Sequence, residues 1–85
     1  MKVRVPSALY SYTGGAAVAA EGATLSAILA DLDRQYPGIR FRMIDERESM
    51  RPHIRFFVNG EQVRDLSHPL CAADELIIVQ ALSGG

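Results

Sequence analysis

The sequence predicts an α+β domain, a mixed four- to five-stranded sheet packed on one main helix. Three observations carry that expectation. Leu25, Ile28, Leu29 and Leu32 recur at the 3.6-residue period of a single apolar helix stripe. Ile54, Phe56 and Val58 alternate with Arg55 and Phe57, and Asn59-Gly60 follows them at once. The chain then closes on "LIIVQAL", Leu76 to Leu82, an almost uniformly apolar run of the kind found at a sheet's centre.

Taken in order, "KVRV" places Val3 and Val5 on one face of a short first strand, and Pro6 limits it. "SYTGG" reads as a turn around Gly14 and Gly15, followed by a weak second strand in "AAVAAEG", which leans on the hairpin context because alanine is a poor strand former. Thr24 stands where a helix N-cap belongs, Asp31, Asp33 and Arg34 occupy the solvent face, and "YPG" at 36–38 stops the helix. The stretch from Ile39 to Ile44 fits either a short helical turn or an extended piece, and "DERESMRP" is expected as a polar loop and the most mobile internal segment. Asn59-Gly60 suits a type I′ turn, which needs positive φ at both positions. "EQV" is the returning strand, and a second turn falls at Ala73-Asp74. The order is β-β-α-β-β-β. One helix covers one face of such a sheet, and pairing the first hairpin with a central last strand gives a β-grasp roll.

Composition narrows the function classes. With 48% hydrophobic residues the chain can build a small core without a metal or disulfide staple, so neither is required of it. A formal net charge of −1 sets up no global field for nucleic acid or an anionic membrane. Seven arginines lie between Arg34 and Arg64, but acidic residues are mixed among them and no stacking aromatics accompany them, so they read as solvated surface. Cys71 is the only cysteine, which fits a reducing, cytoplasmic setting, and no stretch has the length of a membrane span.

Residues that would carry catalysis are sparse. His53 and His68 have no neighbours at metal-ligand spacing, and one cysteine completes no zinc set. Cys71, beside Leu70 and Ala72, reads as a small buried apolar residue. "YTGG" does not open a helix, so it is no phosphate loop. The expectation is a protein that is not an enzyme, with no metal and no stably bound cofactor.

The end of the sequence remains. Residues 1–82 are read as one domain and 83–85 as a flexible tail, Ser83-Gly84-Gly85. Glycine has no Cβ, so Gly84 can lie extended in a narrow partner channel, and the Gly85 carboxylate is left uncrowded for attack on a phosphate. Ordering such an arm costs about 1–2 kcal/mol per residue, which calls for docking contacts on the domain itself. Phe57 is the candidate, pointing away from the core with Leu82, and with Ile77 or Val79, on the face the helix leaves open; the alternative is that a loop covers it.

The segment "VNGEQVRDLSHPLCAADELIIVQALSGG" resembles the C-terminal half of the ThiS/MoaD ubiquitin-like sulfur carriers, with their hairpin, their "PL-x-x-G-D-E" turn, an apolar strand and a final Gly-Gly. The "V-x-V" start and the helix ending in "YPG" are similar to MoaD-like members, and "YTGG" to the early turn of CysO-type carriers of cysteine biosynthesis. Ala73 departs from the family's usual glycine, which implies an altered or mildly strained turn, and Gln80-Ala81 replaces a proline-containing approach. The resemblance implies a carrier cycle. A MoeB/ThiF-like adenylating enzyme would use ATP to convert the Gly85 carboxylate to an acyl-adenylate. A rhodanese or cysteine desulfurase type donor would then supply sulfur, leaving a thiocarboxylate. The acceptor would be of the molybdopterin synthase large subunit or cysteine synthase type, with this chain as the small, sulfur-donating component. Gly84 would give clearance in the partner's channel, and Phe57, Leu82 and Ser83 are the residues expected to contact partners. The other readings are a ubiquitin-like modifier joined to lysines through Gly85, and a plain binding module.

Overall fold

The computed structural model describes residues 1–81. Its elements are β1 (Lys2–Arg4), a 3-10 turn (Ser7–Leu9) running into α1 (Tyr10–Thr13), β2 (Ala17–Ala19), α2 (Leu25–Gln35), α3 (Ile39–Met43), β3 (Ile54–Val58), β4 (Glu61–Val63) and β5 (Glu75–Gln80). The sheet order is β2-β1-β5-β3-β4. β5 runs parallel to β1 and antiparallel to β3, so the last strand is the centre of a mixed sheet, the expected β-grasp arrangement.

Helix α2 forms for the reasons its sequence states. Thr24 is extended and its Oγ1 accepts from the Ala27 N–H at 3.1 Å, satisfying one orphan donor of the first turn. Two more are satisfied from the 65–70 loop, where Leu66 and His68 carbonyls accept from the Ser26 and Leu25 N–H groups. Leu25, Ile28, Leu29 and Leu32 are each 0% exposed against the sheet. Burying each contributes about 1.5–3 kcal/mol, so this stripe is the main fastening between helix and sheet. Tyr36 ends the helix, and Gly38 enters α3 at φ 97, in the left-handed region that glycine occupies without strain. Asp33 Oδ1 accepts from the Gly38 and Arg40 N–H groups, which caps α3 and settles the 39–44 stretch as helical.

Two local expectations are corrected. Residues 7–13 are helical rather than part of a simple hairpin turn. Leu9, 1% exposed, drives that segment into the core, and Gly14, at φ 76, ends it. The 45–52 loop is a pinned turn: Asp45 Oδ1 accepts from the Arg47 and Ser49 N–H groups, and Arg40 pairs with Glu48 at 2.8 Å. The β3–β4 turn is as expected, with Asn59 at φ 50 and Gly60 at φ 86.

Candidate functional site

Alternation along β3 and β5 sorts their side chains onto two faces. Ile54, Phe56, Val58, Leu76 and Ile78 face the helix and are buried. Phe57 and Ile77 stand opposite each other on the other face, both half-buried, with Val79 beside them at 37% exposure. Phe57 therefore lies where the sequence places it, on the side α2 does not cover, as one member of an apolar strip with Ile77 and Val79. The expectations for Leu82, Ser83, Gly84 and Gly85, and the 82/83 domain boundary, lie outside the described residues.

The base of β5 is locked to the hairpin by one asparagine. The Asn59 amide donates to Asp74 Oδ1 at 2.8 Å, and its oxygen accepts from the Glu75 N–H at 3.0 Å. The other Asp74 oxygen accepts from the Cys71 N–H at 2.8 Å. The Cys71 backbone donor, then the Asn59 amide, hold the Asp74 carboxyl below its ordinary value near 3.8. Ala73 is not among the residues with positive φ, so alanine sits in this turn without left-handed strain. Cys71 corrects the sequence reading: it is exposed, because the turn sends Leu70 to the core, at 7% exposure, and its neighbour outward.

At the far end of β5 the chain leaves the sheet beside β3. Gln80 pairs with Ile54, and the Ala81 N–H donates to the His53 carbonyl at 2.7 Å. Sequence reasoning missed what surrounds this exit. Phe41, on the outward side of α3, is 55% exposed, and the Arg51 guanidinium lies 4.6 Å from its ring centroid. Arg51 Nε also donates to the Phe41 carbonyl at 2.7 Å. The signal was present but conditional: once Ile39 and Met43 are taken as a buried i, i+4 pair, Phe41 must face solvent. His53 and His68 are both half-buried and stand apart from any cluster; among the described residues no group of three or more His, Cys, Asp or Glu side chains is placed to hold a metal. None of the described helices is long and apolar enough to cross a membrane.

Comparison with known proteins completes the picture. The ThiS family model matches residues 3–85. The chain belongs to the ThiS family. It is 35% identical to the sulfur carrier protein CysO of Mycobacterium tuberculosis over 89 residues, covering 98% of this chain and 96% of that one. A chain in the crystal structure of the Amycolatopsis orientalis BexX/CysO complex superposes with a TM-score of 0.91 at 34% identity, covering 99% of this chain and 98% of that one. The crystal structure of Mycobacterium tuberculosis CysO gives 0.89 at 31% identity, covering 95% and 98%. The ubiquitin-like β-grasp fold and the homology to sulfur carriers are thereby established for this ThiS-family chain, across its length.

Proposed function

We propose that this chain is a sulfur carrier protein serving cysteine biosynthesis, with the Gly85 carboxyl group as its reacting centre. The observation that carries the reading is the end-to-end identity to a sulfur carrier, 35% over 98% of the chain. In the proposed cycle a Gly85 carboxylate oxygen attacks the α-phosphorus of ATP in a partner adenylating enzyme, and pyrophosphate leaves. The resulting mixed anhydride is electrophilic where a free carboxylate is not. The terminal sulfur of a donor persulfide then attacks the acyl carbon and displaces AMP, giving an acyl disulfide with the donor. A thiol reductant cleaves that S–S bond, itself being oxidised to a disulfide, and leaves a thiocarboxylate for an acceptor enzyme of the cysteine synthase type.

The folded body supports this role without contributing a general base. The β1–β5–β3 ladder holds the strand that precedes the tail, the Asn59–Asp74 lock holds its base, and Ala81 is bonded to His53 at its end. The Phe57–Ile77–Val79 strip offers apolar contact area to a partner. Conjugation to lysines through Gly85 is the less supported reading, since the sequence relatives at 35% identity are named as sulfur carriers.

Exchange of labelled pyrophosphate into ATP tests the activation step. The full chain with its adenylating enzyme should support exchange, and deletion of Gly85 should abolish it while the thermal unfolding midpoint stays unchanged. Equal exchange by both forms would refute the role given to Gly85.

A further inference from the structure

We propose that the end of the domain from which the chain leaves β5 is a docking collar, anchored by the Phe41–Arg51 stack, for the adenylating partner, whose channel mouth carries carboxylates around an apolar socket. The inference rests on the carrier reading and extends it from the tail to the body.

Among the described residues Phe41 is the most exposed large apolar side chain, at 55% against 40% for Tyr10 and 37% for Val79. It is also held in place. Arg51 lies over its ring at 4.6 Å and bonds its carbonyl at 2.7 Å, so the aromatic face is presented in a set orientation. A pre-ordered aromatic flanked by arginine has the composition of an interface hot spot, because little side-chain entropy remains to be lost on docking.

The charges around it point to the partner's chemistry. Phe41, Arg42, Arg51, His53 and Gln80 line a shallow cavity of about 340 Å³ directly at the strand exit. Arg51 also lines the adjoining groove together with Arg55 and Arg64. The ion pairs among the described residues involve Arg4, Arg34 and Arg40 and none of these four arginines. Glu48, paired with Arg40, and Asp65 also line that groove, so the four guanidiniums outnumber the carboxylates across cavity and groove. At one end of a domain whose net charge is −1 they form a local cationic rim that complements an acidic one.

On the carrier reading, the reach from Ala81 to Gly85 brings the partner close to this patch. Four residues follow Ala81, and fully extended they span at most about 14 Å. A partner that takes the Gly85 carboxyl into a reaction site therefore brings its channel mouth within that distance of Ala81, where the Phe41 stack stands. A single aromatic without a row of stacking neighbours argues against single-stranded nucleic acid as the occupant.

The test is steady-state pyrophosphate exchange with varied carrier concentration, using Phe41→Ala and Arg42→Glu against a matched charge change, Lys2→Glu, at the opposite end of β5. The expected result is a KM raised tenfold or more by Phe41→Ala and by Arg42→Glu with kcat retained, little change for Lys2→Glu, and a wild-type KM that rises with ionic strength. Both collar positions are exposed, so unchanged thermal unfolding should accompany the effect; Arg42→Ala serves as the second variant should one of them fold poorly. Wild-type exchange with unaltered KM in both collar variants overturns the collar and leaves the carrier reading standing. An equal effect of Lys2→Glu reduces the result to net charge and also overturns it. A wild-type dimer in sedimentation that Phe41→Ala dissolves would assign the patch to a second copy instead. No exchange by wild type with an active enzyme brings down the carrier reading and the collar together.

Discussion

Replacing Asn59 separates backbone conformation from side-chain bonding at the base of the central strand. Asn59 sits at φ 50, where alanine costs about 1–2 kcal/mol and glycine costs nothing sterically. Its side chain also makes two hydrogen bonds, to Asp74 Oδ1 and from the Glu75 N–H. These are solvent-exposed, so each contributes at the low end of the usual range, about 0.5–1 kcal/mol. Asn59→Ala should therefore cost about 2–4 kcal/mol, and Asn59→Gly about 1–2 kcal/mol. For a domain of this size each 1 kcal/mol corresponds to roughly 4–8 °C in Tm. Urea unfolding of both variants, with Asp74→Ala and Asn59→Ala/Asp74→Ala completing a double-mutant cycle, measures the two contributions. Equal losses for alanine and glycine would refute the strain assignment. Strict additivity in the cycle would refute the lock between the hairpin and β5.

Further outcomes follow from the same geometry. Phe56, 0% exposed on the helix-facing side of β3, should cost about 3–5 kcal/mol on replacement by alanine, read from denaturant melts. Gly22→Ala should destabilise measurably, because a Cβ there would come within 2.7 Å of Ala27 and Ile28 backbone atoms, which cannot swing aside. Asp31, Asp45, Asp65 and Asp74 all have carboxyls lowered from about 3.8: Arg34's side chain first for Asp31, the Ser49 N–H for Asp45, the Ser67 hydroxyl for Asp65 and the Cys71 N–H for Asp74. A depressed folded-state value gives stability that is present above the unfolded value and lost as pH falls through the folded one. Thermal midpoints should accordingly hold at neutral pH and decline below about 4, and a flat profile down to pH 2 would contradict these carboxylate bonds. Cys71, exposed, should react with a thiol reagent in the native protein without prior unfolding.

Legibility in the sequence followed how local each determinant is. The α2 stripe, its Thr24 cap and the Asn59-Gly60 turn are set by residues within one turn of each other, and all three are found as read. The centrality of β5 was also legible, since an unbroken apolar run has no solvent face to offer. The helical segment over 7–13 was not, because its order depends on Leu9 reaching a core assembled from distant elements. Cys71 was misread for the opposite reason: its neighbours are apolar, but turn geometry rather than composition decides which of them points inward. The Phe57 strip was readable from strand alternation alone. The Phe41–Arg51 stack joins residues ten apart across a loop whose turn is set by Asp45, and no short-range pattern encodes that approach.

The most direct measurement is the intact mass of the protein after incubation with its adenylating enzyme, ATP and a sulfur donor, followed by fragmentation to locate the change. The expected result is one oxygen replaced by sulfur, confined to Gly85 and absent when that residue is deleted. Sulfur found on Cys71 instead, or an unaltered Gly85 beside an enzyme proven active, would contradict the proposal that the carboxyl terminus is the reacting group and the β-grasp body its support.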